Sequence, residues 1–241
     1  MKEIQNTDDQ KLWDHHQTDN AQHLEDGHLR QDMLLRKIRR YLDSGKRMLE
    51  IGFGDGYLLG CLSKFYECSG ADVSEKNVNQ MRERIKAVDF RVVSTDGGLP
   101  YPDQSFDAFI ASEVLEHMSD DELHVCIGEI SRVLKKGGYA FITVPAEENL
   151  KRNECFCPDC GSIFHKWGHK QYWDKDTIRK NFSTFKIITI QEYFNRFRGK
   201  GRFENIFGIV IWIIQTAVNY VWKFPSKLVT NKTFIIILKK S

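Results

Sequence analysis

The feature that most restricts how this chain can fold is the break at Gly52. A short apolar run, residues 47–51, stops at Gly52-Phe-Gly54-Asp-Gly56, and residues 57–65 resume with helical spacing. A strand that ends on closely spaced glycines and passes straight into a helix opens a βαβ unit, which the apolar run at residues 68–74 completes. The alternation continues, with residues 77–88 reading as helix, 90–96 and 105–114 as strands, 120–134 as helix and 139–145 as strand. Helices interleaved with apolar strands predict a mostly parallel sheet covered on both faces.

A chain of 241 residues has room for one generous domain with its own core. Hydrophobic residues at 41% and charged residues at 28% exclude a disordered tail or a polytopic membrane protein. A net charge of +2 does not by itself select a nucleic-acid partner, which calls for a concentrated basic face. The opening residues show no signal-peptide pattern, and the expectation is a cytoplasmic protein, placed there or at the inner face of the membrane. Leu29, Met33, Leu34, Ile38 and Leu42 recur at helical spacing before Gly45. The expected organisation is an N-terminal helical cap at 1–45, a Rossmann-like core at 46–146, a Cys/His insert and helix at 147–182, and C-terminal strands at 183–241.

Glu50, Gly52, Gly54 and Gly56 lie where the first strand meets the first helix. Parallel α/β sheets bind ligands at this carboxyl edge, and glycines let backbone amides approach closely. Asp72 ends the second strand, twenty residues after Gly52, with Val73 beside it. An acid at that distance accepts hydrogen bonds from ribose hydroxyls. Asp96 and Gly97 follow the third strand, where Asp96 either meets an exocyclic amine such as that of adenine or serves as a turn aspartate. The loop reads G-x-G-x-G rather than the G-x-G-x-x-G of a nicotinamide site, so no pyrophosphate grip is spelled out.

Four segments in order, MLEIGFGDGYLL (48–59), GADVSEKNV (70–78), STDGGLPYPDQSFDAFIASEVLEHM (94–118) and ISRVLKKGGYAFITVP (130–145), resemble the successive motifs of class I S-adenosylmethionine-dependent methyltransferases of the small-molecule type. The resemblance implies a seven-stranded sheet whose last strand, supplied by residues 233–239, runs antiparallel. It also implies S-adenosylmethionine as cofactor, with the Gly52–Gly56 loop along the methionine portion, Asp72 on the ribose, and Asp96 with Gly97 at the adenine.

Glu113, Glu116 and His117 follow the fourth strand, at the rim where a transferred methyl would lie. Glu113 and Glu116 are three residues apart and share a side on a helical turn. This run is similar to the E-V-x-E-H signature of ubiquinone-pathway O-methyltransferases and small-RNA 2′-O-methyltransferases, which use these positions for a divalent metal; His169 is the candidate for the distant histidine of the latter. The alternative is that His117 lines the pocket and Glu113 touches the cofactor, with no metal. His117 and Glu116 are the catalytic candidates, and His117 keeps its role as general base or acceptor-orienting group in either case, because an imidazole of ordinary pKa near 6.5 removes protons near neutrality.

Cys157-Pro-Asp-Cys160 is a tight knuckle, and His165 and His169 follow within nine residues. Together they form a candidate structural zinc site of S₂N₂ type, with Cys155 as a competing thiolate. The alternative is a reduced C-x-x-C loop with both imidazoles turned toward substrate. Cys61, Cys68 and Cys126 are expected as buried thiols. Residues 206–222 carry no charge, and basic residues flank them on both sides. That pattern predicts an apolar helix between the sixth and seventh strands, either covering substrate or making peripheral membrane contact through 206–224, or else a core helix or a membrane span. A span would strand the last strand on the wrong side of the bilayer.

The expected function is methyl transfer from S-adenosylmethionine to a small-molecule or lipid-linked acceptor at oxygen, with nucleic acid disfavoured. The rivals are a small-RNA 2′-O-methyltransferase with a divalent metal, a non-catalytic cofactor-binding partner subunit, and a nicotinamide oxidoreductase.

Overall fold

The computed structural model describes residues 28–94, 97–194 and 232–241. Helix α1 (His28–Tyr41) buries Leu34 and Ile38 from the predicted apolar stripe. The chain then enters β1 (Arg47–Ile51), α2 (Tyr57–Leu62), β2 (Glu67–Asp72), α3 (Glu75–Arg84), β3 (Val88–Val92) and β4 (Phe106–Ser112). Next come α4 (Asp120–Val133), β5 (Leu134–Pro145), a small hairpin of β6 (Glu154–Phe156) and β7 (Ile163–His165), α5 (Lys175–Asn181), β8 (Phe185–Phe194) and β9 (Lys232–Lys240).

Seven strands form one sheet in the order β3-β2-β1-β4-β5-β9-β8. The pairs β1–β2, β1–β4, β2–β3 and β4–β5 are parallel, while β9 runs antiparallel to β5 and β8. This is the expected Rossmann-like sheet with its last strand reversed. Residues alternate between the two faces with the period-2 pleat. In β4, Phe109 and Ala111 join a core with α4 and α5, whereas Ala108 and Ile110 join a second core with α1, α2 and α3. In β9, Phe234, Ile236 and Leu238 face the first core and Ile235 and Ile237 the second. A strand buried on both faces must be apolar throughout, which is why residues 234–238 contain no polar residue.

The order also locates the working edge. From β1 the chain builds outward through β2 and β3, and from β4 it builds the other way through β5, so the crevice opens at the carboxyl ends of β1 and β4.

Three local differences from the sequence reading have simple causes. Helix α3 starts at Glu75 because the Ser74 side chain caps it by accepting from Asn77 N, and it ends at Arg84 so that β3 can begin at Val88. The insert expected at 147–182 carries a hairpin as well as a helix, since β6 and β7 pair antiparallel around the Cys157–Gly161 turn. Cys68 and Cys126 are buried as expected, but Cys61 is only half-buried. Among the described residues no helix is long and apolar enough to cross a membrane. The apolar stretch at 206–222 lies outside the described residues.

Candidate active site

The glycine loop has the backbone its sequence predicted. Gly52, Gly54 and Gly56 all adopt positive φ, at 60°, 53° and 73°. A Cβ at Gly52 would stand 2.5 Å from Val114 Cγ2, so only glycine lets this loop pack against the turn after β4. A Cβ at Gly54 would meet nothing within 4 Å, which places that part of the loop against open space.

Asp72 converges on the same loop. Its Oδ1 accepts from Ser74 N at 2.9 Å, and its Oδ2 lies 3.5 Å from Asn77 Nδ2. Asn77 Nδ2 also donates to Gly54 O at 3.0 Å, tying the end of β2 to the glycine loop. Val73, next to Asp72, is 49% exposed and offers an apolar face at the carboxyl edge. Gly97 has φ 79°, while Asp96 lies outside the described residues.

Helix α1 closes this half of the crevice, which the sequence did not reveal. His28 stacks on Tyr57 with ring centroids 3.9 Å apart, and its Nε2 lies 2.8 Å from Asp55 Oδ2. Tyr57 OH donates to Asp32 Oδ1 at 2.7 Å, and Arg30 reaches Glu113 at 3.6 Å. Glu50 is buried, and burial followed by the charge of Asp55 pushes its pKa up to about 8.

Several buried polar atoms here have no hydrogen-bond partner among the described residues: Glu50 Oε2, Gln31 Oε1, Glu113 Oε1 and Arg30 Nε. Three acceptors and one donor fit a group carrying both an ammonium and a carboxylate, as the amino-acid end of S-adenosylmethionine does.

The other half of the crevice is built after β4 and β5. Glu113 (φ 55°) and Glu147 (φ 53°) both take the left-handed conformation although neither is glycine. Such strain persists only where surrounding contacts impose it. Here Glu113 N donates to Thr143 O at 3.0 Å and Glu147 N to Trp173 O at 2.8 Å. Glu116 and His117 lie on a short 3₁₀ turn, Leu115–His117. The Glu116 carbonyl accepts from Lys170 N at 2.7 Å and Gln171 N at 3.0 Å, which pins the insert against this turn.

Glu116 is 1% exposed, and neither of its carboxylate oxygens has a hydrogen-bond partner among the described residues. Burial, and then the neighbouring Glu113, holds its pKa well above the usual carboxylate range. His117 approaches Gly168 O through Nδ1 at 3.3 Å, and its Nε2 lies 3.9 Å from Glu116 Oε1. Burial, followed by the nearby His169, pushes the His117 pKa down to about 3. This corrects the expectation that His117 keeps an ordinary pKa. Its imidazole is neutral throughout the physiological range and can orient a hydroxyl or take a proton only in passing.

His169 joins this pocket, its ring centroid 4.9 Å from that of His117. Ligand atoms of Glu116, His117 and His169 lie within 4.8 Å of one another, a spacing that suits a divalent cation. Glu113 is absent from that group because it turns toward Arg30.

The expected zinc quartet does not assemble. Cys160 sits exposed at the hairpin tip, where its Sγ lies 3.1 Å from Ser162 Oγ. His165 and His169 instead converge on Glu148, whose ligand atoms lie within 4.8 Å of theirs. The reason is topological: β7 carries His165 inward against the loop after β5, while the Cys157–Gly161 turn projects outward. Sequence reasoning missed Glu148 and Arg30; the position of Glu148, three residues past a central strand, was the available signal.

Residues 49–142 match the methyltransferase domain family. This part of the chain is a class I S-adenosylmethionine-dependent methyltransferase domain. Over 121 residues the chain is 39% identical to 27-O-demethylrifamycin SV methyltransferase of Amycolatopsis mediterranei, covering 46% of this chain and 44% of that protein. Over 152 residues it is 34% identical to the mouse tRNA (carboxymethyluridine(34)-5-O)-methyltransferase ALKBH8, covering 62% of this chain and 21% of that one. The chain thus spans less than half the length of these curated relatives. Its fold is that of the N-methyltransferase NodS from Bradyrhizobium japonicum, solved with S-adenosyl-L-homocysteine, at a TM-score of 0.66 and 13% identity over 96% of this chain and 97% of that one. The matched residues take in the glycine loop and most of the parallel strands β1 to β5, while β8 and β9 lie beyond them.

Proposed function

We propose that the chain transfers a methyl group from S-adenosylmethionine to an oxygen of a small or lipid-linked acceptor. The observation that carries this reading is the shared wall at Gly52 and Val114. There the glycine loop packs directly on the turn that leads from Glu113 to Glu116 and His117, so cofactor loop and acidic-imidazole pocket are neighbours. S-adenosylmethionine supplies a methyl already activated on a cationic sulfur. What remains for the chain is to align an acceptor, exclude water and manage one proton, and alignment is worth about 7–11 kcal/mol of barrier.

In this reading the backbone of Gly52, Gly54 and Gly56 follows the methionine portion, with Glu50 and Arg30 at its charged end. Asp72 takes the ribose hydroxyls, and Val73, Asp96 and Gly97 flank the adenine. An acceptor hydroxyl enters between Glu116, His117 and His169, where an imidazole accepts its hydrogen bond and proton. Exposed Phe156, Ile163, Phe164, Trp167 and Tyr172 on and beside the hairpin favour an acceptor with an apolar part.

A second reading, RNA methylation assisted by a divalent cation, is favoured by the clustering of Glu116, His117 and His169 and by the tRNA-modifying relative. Two measurements test both. Calorimetric titration should show binding of S-adenosylhomocysteine and none of NAD; no affinity for S-adenosylhomocysteine would overturn the cofactor reading. Incubation with S-adenosylmethionine tritiated on the methyl should then label an organic-extractable or small aqueous fraction of cell extract. Label that enters RNA and vanishes with EDTA would replace the first reading by the second.

A further inference from the structure

The second cluster, Glu148 with His165 and His169, has a different chemistry from the first. His165 Nδ1 faces two backbone donors, His169 N at 3.1 Å and Trp167 N at 3.3 Å. A nitrogen met by two N–H groups must carry a lone pair, so in the neutral ring the proton sits on Nε2. That nitrogen points at Glu148 Oε1, 3.4 Å away. Metal ligation through Nε2 would move the proton to Nδ1, against both backbone donors. This arrangement therefore braces Glu148 through a close His165 contact rather than forming a second metal site.

The brace fixes Glu148 as an acceptor. Asn153 Nδ2 donates to Oε1 at 2.7 Å, and His169 Nδ1 lies 2.5 Å from Oε2. Burial works against the charge, but the hydrogen bonds from His169 and Asn153 outweigh it and keep Glu148 ionised. An ionised carboxylate only accepts, so His169 Nδ1 carries the hydrogen, and in the neutral ring the lone pair is then on Nε2. The rings of His165 and His169 stack 4.7 Å apart, which holds the His169 plane, while its edge-on contact with His117 turns it toward the pocket of Glu116.

We propose that Glu148 is a positioning residue that locks His169 in the Nδ1–H tautomer, so that the Nε2 lone pair faces the Glu116–His117 pocket, with His165 and Asn153 holding the carboxylate in register. The hairpin insert is then part of the reaction centre, because it supplies His169 and the side chains that set its tautomer. A carboxylate behind a working imidazole is a general device for fixing tautomer and ring orientation. The proposal rests on the reading that this pocket receives the methyl acceptor.

Long-range ¹H–¹⁵N correlation spectra of the full chain, with His169 assigned through His169→Asn, read the tautomer directly. In the wild-type protein His169 should show the pattern of a protonated Nδ1 and a bare Nε2. In Glu148→Gln the amide also donates, and the His169 signals should move toward the opposite tautomer. Affinity for S-adenosylhomocysteine should stay within twofold, and methyl transfer to the labelled fraction should fall about 10- to 100-fold. A wild-type His169 protonated on Nε2, or a Glu148→Gln spectrum identical to wild type, overturns the proposal. Should Glu148→Gln not fold, the wild-type tautomer alone decides. Failure to bind S-adenosylhomocysteine would sink the methyltransferase reading and leave this measurement standing.

Discussion

The two halves of the carboxyl edge are built in opposite ways. The half after β1 and β2 is local: its glycine turn, Asp72, Ser74 and Asn77 lie within 26 residues, and its shape is set by backbone conformation. The half after β4 and β5 is assembled at long range, since His169 reaches His117 and Glu148 only after the chain has built a hairpin and returned to bond the Glu116 carbonyl. The lesson is that a rigid cofactor seat can be written into one βαβ unit, whereas an acceptor site depends on contacts between distant segments, which can change without disturbing that seat.

The sharpest attempt to break this comparison is Gly52→Val, because Gly52 is where the halves touch. A β-branched residue there must hold a left-handed backbone at about 1–2 kcal/mol. It must also displace Val114, an overpacking cost of about 1–3 kcal/mol. We expect loss of measurable S-adenosylhomocysteine binding by calorimetry and a lower thermal midpoint. Normal affinity would mean that the loop is not the seat.

His117→Ala should separate the halves most cleanly. Removal of a proton-handling imidazole costs about 10²–10⁴-fold in turnover, while S-adenosylhomocysteine affinity should hardly move. Undiminished methyl transfer would take His117 out of the mechanism. Asp72→Ala is the complementary case with a smaller effect. Loss of hydrogen bonds to a charged acceptor is worth about 1.5–3 kcal/mol, or about 10- to 100-fold in cofactor affinity. Because Asp72 Oδ1 also accepts from Ser74 N, some of that loss will appear as lower stability of the apo protein.

The same contrast explains what could be read in advance. The sheet was legible because fully buried parallel strands must be apolar and their turns must punctuate them, and Gly52, Gly54 and Gly56 were legible because no other residue fits their backbone easily. The acceptor pocket was only half legible. Glu116 and His117 stood out as residue types, but the neutral state of His117 arises from burial and from His169, 52 residues away. The zinc quartet misled because Cys157, Cys160, His165 and His169 have ligand spacing in sequence, while among the described residues the two imidazoles group with Glu148 and with neither thiol. The role of Arg30 could not be read from helical periodicity, which reports only the buried face of α1.

The smallest effect belongs to Glu50, and it tests whether the cofactor seat is strained when empty. In the unfolded chain this carboxyl ionises near its ordinary value of 4.5, whereas in the fold burial and Asp55 delay ionisation to about 8. Below pH 4.5 both states hold the proton and burial is harmless. Between these values the unfolded chain has released a proton that the folded chain retains, so stability falls as pH rises and the loss levels off above about 8. Glu50→Gln abolishes the titration. Its thermal midpoint should match wild type near pH 4.5 and exceed it progressively toward pH 8, by a margin on the order of 1–3 kcal/mol after relaxation of the site. S-adenosylhomocysteine brings an ammonium that favours ionised Glu50, so saturating ligand should shrink the gap between the two proteins. A gap that ignores both pH and ligand would mean that Glu50 supports the fold alone and that the ammonium lies elsewhere.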